Sequence, residues 1–341
     1  MLLRWLLTIL LATGCCTAGA QTLGGEAAFP FLKLPATPLL SATGGANVSW
    51  RSADGGHALY QPALLSPELD GDLGLYFNSF VAGVKSGAAS YVHHREKEHL
   101  TFGAGLFFMD YGSIAETDAA GNRLGTFRPQ DFTVQLSASY AYLQRWRFGA
   151  SLRYIGSRYG QYTASGIAID AGLHYRDSAR QFSAGVLVRN AGTQLRSFTG
   201  EKEELPFDLQ AGITKKLARA PLGFSLTAQG LHRFNLAYAD TAFNNENEPG
   251  RRSPGFAGKL LQHVIAATHL YLGPHLEATI GYNHLRRSEL NIGTGGNGLN
   301  GFSSGLRTRF RKLELHYTRA WYGRSFAYNQ MGVVVRLKEG L

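Results

Sequence analysis

The chain has 341 residues, 44% of them apolar, 12% aromatic and 17% charged, with 42 glycines and a formal net charge of +10. Beyond its first twenty residues no uninterrupted apolar run reaches the ~20 residues that a membrane helix needs, which excludes a helical membrane protein. The basic residues form no run longer than two, so the positive charge is not the footprint of a nucleic-acid binder.

Residues 1–20 read as a signal peptide. Arg4 supplies the positive end, Trp5 to Ala12 the apolar stretch and Ala18-Gly19-Ala20 the small-residue cleavage site, so the mature chain is expected to begin at Gln21. A lipidated alternative uses Cys15 or Cys16. Both cysteines fall in this leader, which leaves the mature chain without a disulfide, a thiolate nucleophile or a cysteine metal site.

Residues 21–70 differ from the remainder of the mature chain, with five prolines, Gly-rich points and little alternation. They are expected to plug a barrel or to lie at its periplasmic mouth. From 71 to 341 the sequence alternates with period two in about fourteen segments: 71–80, 84–94, 98–110, 130–142, 146–158, 165–175, 180–191, 206–216, 221–233, 261–272, 275–287, 302–310, 313–322 and 326–337. Each is long enough for a tilted strand to cross hydrocarbon. Leu222, Phe224, Leu226 and Ala228 oppose Gly223, Ser225, Thr227 and Gln229; Leu313, Leu315 and Tyr317 oppose Glu314, His316 and Thr318. Successive strand residues face opposite sides, so the first sets should meet lipid and the second a lumen.

A soluble sheet alternates in the same way, and the connectors separate the two cases. Those after even-numbered segments are tight, as at Leu143-Gln144-Arg145 and Arg311-Lys312, whereas 111–129, 192–205, 234–260 and 288–301 all come after odd-numbered ones; the connectors after the first, fifth and thirteenth segments are short too, so that end is mixed. Short turns on one rim and long loops on the other mark an outer-membrane barrel. The expected fold is therefore all-β: a transmembrane antiparallel β-barrel of about fourteen strands. Arginine facing lipid at mid-depth costs ~2–4 kcal/mol, so Arg147, Arg153, Glu314 and His316 are expected inside the lumen or near an interface. Tyr91, Tyr111, Tyr140, Trp146, Tyr175, Trp321 and Tyr322 are expected at headgroup level.

Catalytic patterns occur only as strings. Gly301-Phe302-Ser303-Ser304-Gly305 matches a nucleophile elbow and Gly293 to Gly298 a phosphate-binding loop, but neither precedes a helix. His93, His94, His99, Glu96 and Glu98 crowd one turn, where ligands would diverge onto opposite strand faces. No catalytic residue, cofactor or metal site is expected. Recognition falls instead to the long loops, where arginine and aromatic side chains stand together as they do at interface hot spots. The candidates are Phe127, Arg128, Arg196, Phe198, Phe243, Arg251, Arg252 and Phe256.

Gln61 to Pro67, Phe31 to Pro35, Gly44 to Ser49, Asp110-Tyr111-Gly112 with Asp118, Gly121, Gly125 and Phe127, and Arg189 to Leu195 with Leu205-Pro206-Phe207 together resemble the PorQ family. These are outer-membrane proteins of the type IX secretion system. The resemblance implies a fourteen-stranded barrel of the fatty-acid-transporter type. It also implies a non-enzymatic anchor for a cell-surface attachment complex with a PorZ-like partner, amid outer-membrane lipid and lipopolysaccharide. Gln61 departs from the asparagine common in the N-P-A motif of such barrels, and the C-terminus lacks their terminal aromatic residue. The alternative is an outer-membrane channel for small hydrophobic molecules, which requires an apolar path past residues 21–70 and a lateral gap in the wall.

Overall fold

The computed structural model describes residues 27–236, 255–290, 298–323 and 327–338. Among these residues there are sixteen strands: β1 (Asp72–Ser79), β2 (Lys85–Arg95), β3 (Leu100–Asp110), β4 (Ile114–Thr117), β5 (Arg123–Phe127), β6 (Gln130–Tyr142), β7 (Trp146–Tyr159), β8 (Tyr162–Asp177), β9 (Phe182–Arg196), β10 (Asp208–Lys216), β11 (Leu222–Ala228), β12 (Val264–Tyr271), β13 (Leu276–Asn283), β14 (Phe302–Phe310), β15 (Leu313–Trp321) and β16 (Ala327–Arg336). Fourteen of them close a single antiparallel barrel in which β1 pairs with both β2 and β16, while β4 and β5 form a separate hairpin. Closure leaves no strand edge unpaired in the wall, as lipid requires.

The alternation fixes which way each face points. In β11 and β15 the residues expected toward lipid are the exposed set, and Ser225, Thr227, Glu314, His316 and Thr318 are buried inside. Leu75, Phe102, Leu136, Leu152, Ile213, Ile280, Leu306 and Val333 continue this apolar outer belt around the circle.

Every connector on one rim is a tight turn, whereas the other rim mixes short ones, such as Gly160-Gln161 between β7 and β8, with long loops. On the tight-turn rim His99, Leu143, Gln181 and Arg311 each take a left-handed backbone, with φ of 50° to 53°, which lets a few residues reverse the chain. The opposite rim carries the described residues 111–129, 197–207, 229–236, 255–263, 284–290 and 298–301.

Three boundaries differ from the sequence reading by four residues or more. β11 stops at Ala228 rather than 233. β13 stops at Asn283 rather than 287, because the Asn283 side chain accepts from Arg286 N–H and starts a helix, His284–Glu289. β9 instead runs on to Arg196, past a bulge at Asn190.

Fourteen strands enclose more space than wall side chains fill, and the N-terminal segment occupies it. It enters at the long-loop rim, where Ala28 N–H donates to Glu204 O, and leaves at the short-turn rim, where Gly71 N–H donates to Val92 O. Between these points lie two short helices, α1 (Pro38–Ala42) and α2 (Gly55–Tyr60), and every residue from Asp54 to Ser66 is buried. Inward-facing glycines admit it. A Cβ at Gly149 would strike the Pro62-Ala63 backbone, one at Gly185 the Val48 carbonyl, and one at Gly281 the Ala42–Gly44 backbone.

This plug has little secondary structure, so its carbonyls need other donors. Wall side chains supply them: Thr318 Oγ1 to Pro38 O at 2.7 Å, Ser303 Oγ to Ala42 O at 3.0 Å, Asn283 Nδ2 to Gly44 O at 3.0 Å, Ser183 Oγ to Ser49 O at 2.8 Å and Gln135 Nε2 to Leu59 O at 2.7 Å. Each such bond contributes about 1 kcal/mol net.

Candidate functional site

At the long-loop end the plug leaves space. A cavity of about 450 Å³ is lined by Lys33 and Leu34 of the plug, Arg189 and Asn190 of β9, Asp208 and Gln210 of β10, and His232, Arg233, Arg286 and Glu289 of the outer connectors. Deeper in, a pocket of about 70 Å³ lies among Phe31, Leu40, Leu59, Tyr76, Ala88, Gly105 and Phe107. Leu32, Leu34, Tyr60 and Arg189 line both. The inner walls are mainly apolar; Phe31 and Phe107 stack there with centroids 6.0 Å apart.

Two arginines reach the outer cavity, and each lies on a tyrosine ring. Arg189 sits 4.2 Å above Tyr60 and Arg286 4.2 Å above Tyr322. Arg286 donates to Gly44 O at 2.9 Å, yet its Nη1 is buried without a hydrogen-bond partner, as is Nε of Arg189. Arg153, which lines the inner pocket, is different. It pairs with Asp170 at 2.7 Å and donates to Gln135 and Asn190, so its charge is met.

Burial raises the Glu289 carboxyl above the ordinary carboxylate range, with nearby Lys33 opposing part of that shift. The His232 imidazole is pushed below its usual range by burial and by neighbouring Arg233.

Toward the short-turn rim the lumen is packed with charge. Glu314 contacts Arg307, Arg309 and Arg336, and His316 lies between Glu314 and Asp54 of the plug. Nearby, His269 Nε2 is 2.9 Å from Ser225 Oγ and its Nδ1 is 3.6 Å from Glu277. These are the residue types of a hydrolytic triad, and the sequence reading did not bring them together because they stand on three separate strands. The set is sealed: Trp50 covers His269 with centroids 4.1 Å apart, and Ser225 reaches plug residue Ser49 through Thr214. Neither cavity touches it, so the group locks the plug to the wall.

The loop residues singled out from sequence do not form one surface. Phe127 ends β5 half-buried beside Gly160, and Arg128 is exposed and paired with Asp110 at 3.0 Å. Arg196 is exposed at the end of β9, whereas Phe198 turns inward and stacks on Tyr159 at 5.1 Å. Phe256 is 70% exposed and opens a short helix, Phe256–Gln262, with its ring 5.8 Å from Phe234. Phe243, Arg251 and Arg252 lie outside the described residues, as do the signal-peptide segment and most of 293–298.

Two of the expected headgroup aromatics also turn inward: Tyr111 donates to Asp131 at 2.6 Å, and Tyr322 lines the outer cavity. His93 and His94 diverge to Asp70 and Thr101, and no cluster of three metal-ligating side chains occurs among the described residues. Gln61 is fully buried and donates to Val186 O at 2.9 Å, with its oxygen against Gly172.

Neither a family model nor a curated protein matches the sequence. Solved structures do match. The Pseudomonas putida toluene transporter TodX aligns with a TM-score of 0.53 at 16% identity, covering 89% of this chain and 97% of that one. The CymD monoaromatic hydrocarbon channel aligns with a TM-score of 0.52 at 11% identity, again over 89% and 97%. At these identities the likeness is one of fold: the chain is built as these outer-membrane-type channels are.

Proposed function

We propose that the protein is a non-enzymatic outer-membrane channel that takes up small hydrophobic molecules, with the cavity above the plug as its capture site. One observation carries this reading: an apolar pocket inside the barrel adjoins the outer cavity and shares Leu32, Leu34, Tyr60 and Arg189 with its lining. Supporting it, both structural neighbours bear the names of channels or transporters for aromatic hydrocarbons.

The lateral gap that such a route would use is absent from the described strands, whose pairing is continuous around the barrel. Transit therefore requires the plug to move. Cells producing the protein should accumulate labelled toluene several-fold faster than cells lacking it; equal rates would end this reading.

The second reading is the surface anchor implied by the PorQ resemblance, holding a PorZ-like partner beside lipopolysaccharide. What favours it is the β4–β5 hairpin, whose residues are mostly exposed, Leu124 at 66% among them. Replacing Ile114–Phe127 with a short turn should then release the partner into the medium, and undiminished surface retention would count against docking through this hairpin.

A further inference from the structure

The short-turn rim carries a cluster of cations on the outside of the barrel. Arg145 of the β6–β7 turn and Arg180 of the β8–β9 turn both lie 3.9 Å from the same oxygen of Asp177. Lys215 of β10 joins them, its Nζ donating to Arg180 O. Among the described residues Asp177 is the only carboxylate paired with either arginine; its side chain is 9% exposed, theirs 60% and 82%. Exposed pairs of this kind are weak, and one carboxylate leaves the three cations a net positive charge. Arg219 on the neighbouring β10–β11 turn is exposed and adds to it.

Period two fixes where the cluster stands. Tyr175 and Asp177 share a face of β8 with exposed Ile169, Phe182 a face of β9 with exposed Val186, and Lys215 a face of β10 with exposed Ile213. Those apolar residues belong to the outer belt, so the cations stand at its edge and not in the lumen. Trp146 and Tyr175 mark the depth: they pair across the β7–β8 ladder with ring centroids 4.8 Å apart, and Arg145 donates to the Tyr175 hydroxyl at 3.4 Å. Such rings settle at headgroup level, where a cation beside them meets lipid phosphate.

We propose that this patch binds the phosphate of an anionic phospholipid, of the phosphatidylglycerol kind, in the leaflet that meets the short-turn rim. The two guanidiniums offer paired donors to phosphate oxygens, Lys215 adds a third charge, and the rings and apolar belt beside them receive the acyl chains. A zwitterionic lipid presents the same phosphate with an ammonium group that the cluster repels. The β2–β3 turn on the same rim is a contrast, because Arg95 pairs with Glu98 at 3.0 Å and Glu96 offsets Lys97 in number. Such binding is independent of what the barrel carries.

Tryptophan quenching by bromine on lipid acyl chains reads this directly. In the processed chain Trp50 is buried in the plug, so Trp321→Phe leaves Trp146 as the reporter at the belt. The protein is reconstituted in phosphatidylcholine vesicles with a minor share of phosphatidylglycerol, and one or the other lipid is brominated. Phosphatidylglycerol should be enriched beside Trp146 about tenfold over its bulk share. Arg145→Gln, Arg180→Gln and Lys215→Gln together should return it to the bulk share, whereas Arg95→Gln with Lys97→Gln should leave the enrichment intact. Heat-modifiable migration verifies that each barrel has closed. Quenching in proportion to bulk composition in the parent overturns the proposal. Enrichment that survives the triple substitution removes the cluster from the site, and equal losses in both variants would reduce it to diffuse attraction by a basic rim. Displacement by millimolar inorganic phosphate would make the ligand a free anion and not a lipid.

Discussion

Arg153 shows how this lumen tolerates a buried charge. Its guanidinium is 4% exposed and meets Asp170, Gln135 and Asn190 together, so each donor aimed inward has a partner. Removing one member leaves the other charged and alone, which typically costs ~3–5 kcal/mol. Asp170→Ala should lower the urea unfolding midpoint of the barrel in lipid accordingly, and Arg153→Met in the same chain should restore much of the loss. If Asp170→Ala unfolded at the wild-type midpoint, the pair would not be holding the wall. Alternation alone places Arg153 inside, because its neighbours Leu152 and Tyr154 are apolar. Its partners were not legible. Asp170 reaches it through a bulge in which Asn190 takes φ of 56° and donates its N–H to Asp170 Oδ1 at 2.8 Å. A register shift of that kind leaves no trace in period two.

At the scale of elements, the strands and their short-turn rim could be read because each strand has two unlike faces, and the turns must reverse in a few residues. The plug could be recognised only by its lack of such a pattern. Its partners are wall side chains far away in sequence, such as Ser303, Thr318 and Gln135, and nothing local encodes them. The β4–β5 hairpin escaped for the opposite reason: most of its residues are exposed, so it has no buried face to write an alternation. Several of the abundant glycines prove to be clearance for the plug, a role that composition does not reveal. Gly149 is the sharpest case, since any side chain there meets Pro62-Ala63 backbone, which cannot rotate away as a side-chain tip would. Gly149→Leu should displace the plug while the barrel stays closed. Protease should then cut within residues 54–66 of the heat-modifiable protein, and planar bilayers should show ion conductance that the parent lacks. Resistance to cleavage with no conductance would mean that the plug is not seated against β7.

The whole molecule has two unlike ends separated by an apolar belt, and that asymmetry predicts its orientation in a membrane. Bacterial outer-membrane barrels put their short turns in the periplasm and their long loops outside. On that basis the hairpin bearing Leu124 faces the medium, and the Leu143-Gln144-Arg145 turn faces the cell. The only two cysteines, Cys15 and Cys16, lie in the segment read as a removable leader. The processed chain should therefore offer a clean background for single-cysteine labelling. With a membrane-impermeant maleimide on intact cells, Leu124→Cys should label at once and Gln144→Cys only after the outer membrane is broken, because both positions are exposed on the folded barrel. The reverse pattern would invert the barrel and put the capture cavity on the wrong side of the membrane for uptake. Labelling of both before lysis, with the protein in the soluble fraction, would mean that the apolar belt faces no lipid, and the channel and anchor readings would fall together.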